Sequence, residues 1–231
     1  AGNVVGDQIY NGVNGGLVNC PLSCIPGIVI VNGVGNARGV LQWGGNTGVS
    51  VETINAAGFN VGSKAGLVFT QVVLPGFNGA ILNIDGSGSP SFIMGQLYAT
   101  DIGFGIPSLY VSNANGIFVG EFGVISAPSG IGLIGANLNN ATALNDFVGN
   151  NSTVTSFLDI TDGQSKVEVN GAIAGNFAIN TPANFVLLAG GDIVNTGNIF
   201  GQLVWADAGM RRVAGKATVN GVANTVVNRL W

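Results

Sequence analysis

Val169-Asn170-Gly171-Ala172-Ile173-Ala174-Gly175, Val194-Asn195-Thr196-Gly197-Asn198-Ile199-Phe200-Gly201 and Val219-Asn220-Gly221 are versions of one phrase. The Val-Asn pairs recur every 25 residues, and Leu188-Ala189-Gly190 and Val213-Ala214-Gly215 keep the same interval. Gly171–Gly175 and Gly197–Gly201 match one residue out of step, a slip that a single inserted turn residue explains. Self-similarity at such a period marks an architecture of stacked repeats. Within each repeat the apolar runs are short, rich in Val and Ile, and punctuated by Asn and Gly, the pattern of strands joined by tight turns. A repeat of this length fits one coil of a parallel β-helix, turned at Asn and Gly residues that tolerate left-handed backbone angles.

The expected fold is therefore all-β, a right-handed parallel β-helix (solenoid) with an N-terminal cap. The cap is expected over residues 1–40, where Cys20, Cys24, Pro21 and Pro26 interrupt the pattern, and the coils over 41–231, as a single domain. A solenoid needs capped ends because an open end exposes unpaired strand edges. Coils stack about 4.8 Å apart, so equivalent residues lie over one another. Asn170, Asn195 and Asn220 are then expected to form a ladder of stacked amides, the alternative being that Asn is simply a favoured turn residue. Alternation within strands assigns Ile173, Phe177, Ile179, Val186, Leu188, Ile193, Ile199, Leu203 and Val213 to the interior.

Composition narrows the class further. Hydrophobic residues make up 47% of the 231 residues and charged residues only 8%, with mean hydropathy +0.48. A spanning helix needs about 20 nearly unbroken apolar residues, whereas Ile28-Val29-Ile30-Val31 already stops at Asn32-Gly33. The 39 glycines oppose long helices, since each interior Gly costs about 1 kcal/mol relative to Ala. Net charge of −4 and a pI near 4.4 leave no basic footprint for nucleic acid. Arg211-Arg212 is the one basic pair and reads as a solvated turn.

Catalytic chemistry finds little purchase. The chain has no His, and Asp159 and Asp162, the most notable acidic pair, sit in an Asp-Gly turn pattern rather than beside a base or nucleophile. No enzyme activity, cofactor or metal is expected, because the acidic residues are too dispersed for a calcium cage. Cys20 and Cys24 are too few for a zinc site without histidine. Their three-residue gap differs from a redox dithiol and suits a small disulfide loop, with free thiols as the alternative. Ala1-Gly2-Asn3 lacks a basic start and an apolar core segment, so export would imply a processed chain.

Three stretches in order carry a family resemblance. Gly58-Phe59-Asn60-Val61-Gly62 with Leu67-Val68-Phe69-Thr70-Gln71 comes first. Ala80-Ile81-Leu82-Asn83-Ile84, Ser89-Pro90-Ser91 and Ile93-Met94-Gly95-Gln96-Leu97 follow. The third is Leu109-Tyr110-Val111-Ser112-Asn113-Ala114-Asn115-Gly116-Ile117-Phe118-Val119-Gly120. Together they resemble the secretion domain of two-partner-secretion exoproteins, the filamentous-haemagglutinin family with its haemagglutination activity domain. Asn184–Gly190 and Val194–Ile199 also resemble family repeats, so the likeness spans most of the chain. It departs at Ala114, where the family carries Pro, and there is no copy of the family's Asn-Pro-Asn-Leu element.

The resemblance implies a chain that crosses the periplasm, threads through an outer-membrane transporter β-barrel with periplasmic modules, and folds outside. It would then act, secreted and at the bacterial cell surface, as an adhesin or haemagglutinin toward a host or cell-surface receptor. Asn113, Asn115 and Gly116 are the positions carried over as the transporter-recognition turn, against a purely structural role for the same turn. Family exoproteins are much longer, so the chain is either an excised secretion domain or a complete short member. A short member suggests a different function class, a subunit of an extracellular, pilus-like fibre that self-associates head to tail by strand addition.

Overall fold

The structure, a computed structural model, describes residues 8–11, 17–19, 28–34, 39–43, 58–63, 66–72, 79–100, 107–136, 138, 165–176, 181–208, 213–214, 216–219 and 222–225. Among them there is no helix; the protein is all-β, and its strands are overwhelmingly parallel.

Strands recur in a cycle of three. One ladder runs through β3 (Ile28–Val34), β5 (Gly66–Val72), β8 (Gln96–Thr100), β11 (Val124–Ser126), β14 (Ala172–Ala174) and the start of β17 (Asn198–Asp207), each parallel to the next. A second runs through β4 (Gly39–Trp43), β6 (Ala80–Asp85), β9 (Ser108–Asn113), β12 (Ile131–Ile134), β15 (Ala183–Ala189) and the remainder of β17. A third runs through β7 (Ser91–Ile93), β10 (Ile117–Val119), β13 (Lys166–Val169), β16 (Asp192–Asn195) and β18 (Val213–Ala214). Because β17 belongs to both, the first two ladders merge into one curled 15-stranded sheet, and the third stands as a separate five-stranded sheet. Antiparallel strand pairs occur at the two ends, β1 (Gln8–Asn11) with β2 (Leu17–Asn19) and β19 (Lys216–Val219) with β20 (Val222–Thr225). Parallel pairing already includes β1, whose Ile9, Tyr10 and Asn11 lie beside Ile30, Val31 and Asn32 of β3, inside the segment 1–40 assigned to a cap.

Parallel register places like over like. Leu67, Leu97, Ile125, Ile173 and Ile199 form one column, and Ile81, Leu109, Ile131 and Val186 a second. Ile117, Val167 and Ile193 form a third. All are buried and belong to one core cluster. Each such side chain contributes about 1.5–3 kcal/mol by leaving water. The third ladder, and β8 of the first, alternate buried with more accessible positions. β6 and β12 of the second ladder, like β14 of the first, are buried at every position, so both faces of the sheet are covered there. Buried-both-sides parallel strands read as continuous apolar runs, as Ala80-Ile81-Leu82 and Val186-Leu187-Leu188 do.

Glycine decides where the third ladder turns into the first. Gly171 and Gly197 stack in a column above Gly123, and a Cβ on Gly171 would stand 2.1 Å from the Gly123 carbonyl oxygen. The close approach is bonded, since Ala172 N–H donates to Gly123 O and Asn198 N–H to Gly171 O, both at 2.9 Å.

Two sequence expectations are corrected by this register. Asn195 pairs with Val169, not with Asn170, and lies buried in the inward column. Asn170 is level with Thr196, 26 residues on, whose hydroxyl donates to the Asn170 side-chain oxygen. The Asn170–Asn195 step of the expected ladder therefore does not form. The physical register is the one-residue slip between Gly171–Gly175 and Gly197–Gly201, since Ala172 pairs with Asn198 and Ile173 with Ile199. Leu203, expected inside, is 55% exposed. β17 passes from one ladder to the other near Gly201, and the alternation changes phase there: Ile199 aligns with Ile173 but Val204 with Val186. Ile173, Val186, Leu188, Ile193 and Ile199 are buried as expected. Phe177, Ile179, Asn220, Cys20, Cys24, Asp159, Asp162 and the Arg211-Arg212 pair lie outside the described residues, and so does the side chain of Val213.

Candidate functional site

The turn singled out by sequence joins β9 to β10. Asn113 ends β9 with its side chain buried, and it organises the corner with both ends of its amide. Its Oδ1 accepts from the Asn115 backbone N–H at 2.7 Å, an Asx-turn. The Asn115 side-chain amide approaches the same oxygen at 3.4 Å. Asn113 Nδ2 donates to Ser89 O and to Ser91 Oγ, each at 2.9 Å. Gly116 then takes φ +108, a left-handed angle that excludes most side chains. Its N–H donates to Asn113 O at 3.2 Å, and its carbonyl accepts from Ser91 N–H at 3.0 Å.

The turn is clamped from both neighbours in the stack. On one side stand Ser89 and Ser91; on the other, Ser165 Oγ donates to the Ala114 carbonyl. Lys166 O lies 3.0 Å from where a Gly116 Cβ would stand. Ala114 stands in the turn without loss of its geometry, because Asn113 and Gly116 supply the constraint that a proline's fixed φ would add there.

Beneath it lies a buried polar network that sequence reading did not identify. The Asp85 carboxylate, 4% exposed, accepts from Phe59 N–H at 2.8 Å, Ser91 Oγ at 2.7 Å and Ser87 N–H at 2.9 Å. Beside it Trp43 Nε1 donates to Asn83 Oδ1 at 3.0 Å, and Asn83 Nδ2 to Tyr110 O at 3.1 Å. Trp43 also meets Phe59 edge-to-face, with ring centroids 5.0 Å apart. The legible signal was Asp85-Gly86-Ser87, an Asx-turn pattern like that of Asn113. Its links to Phe59 and Ser91 depend on which coil lies alongside.

The geometry separates the three expected recognition residues. Asn113 and Gly116 are buried and act within the chain, whereas Asn115 is exposed at the tip of the turn. Below the exposed Asn115, the corner's buried carboxylate, Asp85, accepts from the Ser91 hydroxyl that also bonds Asn113. Among the described residues no group of three metal-ligating side chains occurs. The nearest charged pair, Lys166 with Glu168 on β13, is linked to Asn170, whose Nδ2 donates to Glu168 Oε1 at 2.9 Å. The Lys166 ammonium and this amide bond hold the Glu168 carboxyl below its usual range. Comparison with family models, with curated proteins and with solved structures finds no match for this chain.

Proposed function

We propose that the protein is a non-catalytic, right-handed β-helical adhesin of the two-partner-secretion type, exported through an outer-membrane transporter and acting outside the cell. The carrying observation is the coincidence of two independent features at one place. The three-strand cycle of parallel pairing is what stacked coils would give, and the Asn113–Gly116 turn that resembles the family's motif sits at a corner clamped by the segments on either side. Asn115 is the residue of that turn that a transporter's periplasmic modules would touch. The stack of ladders supports the solenoid reading because β7, β10 and β13 each pair with the third strand on, and β16 with β18 after β17 has served both other ladders. The test is binding of the chain to the periplasmic modules of a two-partner-secretion transporter by surface plasmon resonance. Asn115→Ala is expected to weaken binding with an unchanged melting temperature; no binding by the unaltered chain overturns the reading.

One observation favours self-assembly as a second reading. Gln202–Asp207 of β17 has no partner strand on its outer edge among the described residues, and Leu203 and Trp205 beside it are 55% and 49% exposed. At the far end of the same ladder, β4 likewise ends the pairing order. Two parallel edges of one sheet are complementary, and a head-to-tail contact between them does not close, so it generates a filament. Fibres in electron micrographs, abolished by Trp205→Lys, support it; a monodisperse monomer at high concentration excludes it.

A further inference from the structure

We propose that the outer face of the third ladder carries a binding site for neutral carbohydrate, built on Phe92 and Phe118. Phe92 of β7 and Phe118 of β10 are register partners. Both point outward, because Ser91 and Ile93, and likewise Ile117 and Val119, are buried on the other face. Phe92 is 45% exposed. The ring centroids lie 5.9 Å apart with planes inclined at 59°, so the pair forms a shallow aromatic corner rather than one flat floor. Phe122, in the turn that follows β10, is 79% exposed.

What adjoins the rings identifies the ligand chemistry. On the next strand Glu168 is the register partner of Phe118. It begins a row of polar side chains: Lys166 pairs with Glu168, Asn170 donates to Glu168, and Thr196 donates to Asn170. A pyranose ring has an apolar C–H face and a rim of hydroxyls. The aromatic corner takes the first, and the carboxylate, amide, ammonium and hydroxyl of the row take the second. Binding sites commonly combine an apolar surface with a few fixed polar groups in this way, and aromatic rings supply large contact area at little entropic cost.

Charge selects among sugars. Lys166 is neutralised by Glu168, Glu121 is exposed in the turn after β10, and the whole chain carries −4. A sulfated or uronic-acid glycan would meet no uncompensated cation in this row, so the site suits uncharged polysaccharide. The proposal rests on the adhesive reading above and names its ligand class.

The experiment uses the whole chain, with mannan, xyloglucan and dextran as neutral probes and heparin as the sulfated one, by affinity electrophoresis and calorimetry. At least one neutral probe is expected to bind, with Phe92→Ala and Phe118→Ala each weakening it about tenfold. Leu203→Ala, on another ladder, should leave it unchanged. Phe118 is partly buried, so the exposed Phe92 variant, checked by melting temperature, decides the case if Phe118→Ala misfolds. Absence of binding to all three neutral probes overturns the proposal, as does binding that neither variant alters, or tighter retention by heparin. A cell-adherence assay run alongside separates the two levels. Adherence without glycan binding overturns this inference alone, while glycan binding without adherence overturns the adhesive reading and leaves the site standing.

Discussion

Replacing Gly171 by alanine should be among the most damaging single-methyl changes available to this protein. The new Cβ would stand 2.1 Å from Gly123 O, 2.4 Å from Gly120 O and 3.0 Å from Gly123 C, all backbone atoms of the neighbouring turn between β10 and β11. No rotamer relieves such a contact; the two stacked turns must separate locally by about 1 Å, since non-bonded carbon and oxygen need more than 3 Å. That separation breaks or stretches the bonds from Ala172 N–H to Gly123 O and from Asn170 N–H to Val119 O. Each is worth about 0.5–1.5 kcal/mol net, with more lost where a buried group is left unpaired. With the loosened packing of Ile173 the total comes to about 3–4 kcal/mol. Urea unfolding followed by far-ultraviolet circular dichroism measures it. At a slope of about 3 kcal/mol per molar the midpoint falls by about 1 M. Gly62 is the control, because a Cβ there meets nothing within 4 Å, and Gly62→Ala should stay within about 0.5 kcal/mol of the parent. If Gly171→Ala does the same, the corner column is not what sets the spacing of the coils.

The remaining predictions concern the polar network and the one perturbed carboxylate. Asp85→Ala strands the donors of Phe59, Ser87 and Ser91 and should destabilise by about 3 kcal/mol; Ser87→Ala, removing a half-buried hydroxyl bonded locally to Ser89, should cost less than about 1 kcal/mol in the same thermal melts. Trp43→Phe keeps the ring contact with Phe59 but leaves Asn83 Oδ1 without its donor, at a cost of about 1–3 kcal/mol in melts monitored by circular dichroism. Glu168 has a folded pKa below its ordinary 4.5, first because of the Lys166 hydrogen bond and then that of Asn170. Its stabilising contribution is therefore present above the unfolded carboxylate value and is lost as pH falls through the lower folded value. The pair is largely solvated, so the effect is below about 1 kcal/mol. Melting curves of the parent and Glu168→Gln should differ slightly at pH 7 and converge near pH 2; a gap that widens on acidification contradicts the assignment.

Much of the architecture was readable locally. Short Val- and Ile-rich runs broken by Asn and Gly sufficed for an all-β chain, and simple alternation placed Ile173, Val186, Leu188, Ile193 and Ile199 inside. Alternation failed at Leu203 because it assumes an unbroken strand phase, and β17 changes ladder midway. The Asn113 turn is legible from the resemblance and from its Asn and Gly, but its side chain's main partners, Ser89 and Ser91, lie beside it at the start of β7. Asp85 went unremarked because two of its three donors, Phe59 and Ser91, are brought to it by the stacking and only Ser87 is its near neighbour in the turn.

The 25-residue echo marks the division most sharply. Sequence alone determined that the chain repeats, that the repeats are strands, and that their turns need Gly and Asn, because these follow from side-chain shape and backbone sterics within a few residues. Which repeat residue lies beside which was decided only by the tertiary structure. Backbone hydrogen bonds between neighbouring strands do not read side chains, so Val-Asn can match at 25 in the text while the strands pair at 26 in space. The register went to the alignment that stacks Ile173 on Ile199 and lets Gly171 and Gly197 approach bare backbone, since core burial and steric clearance at the corner outweigh a row of matched amides.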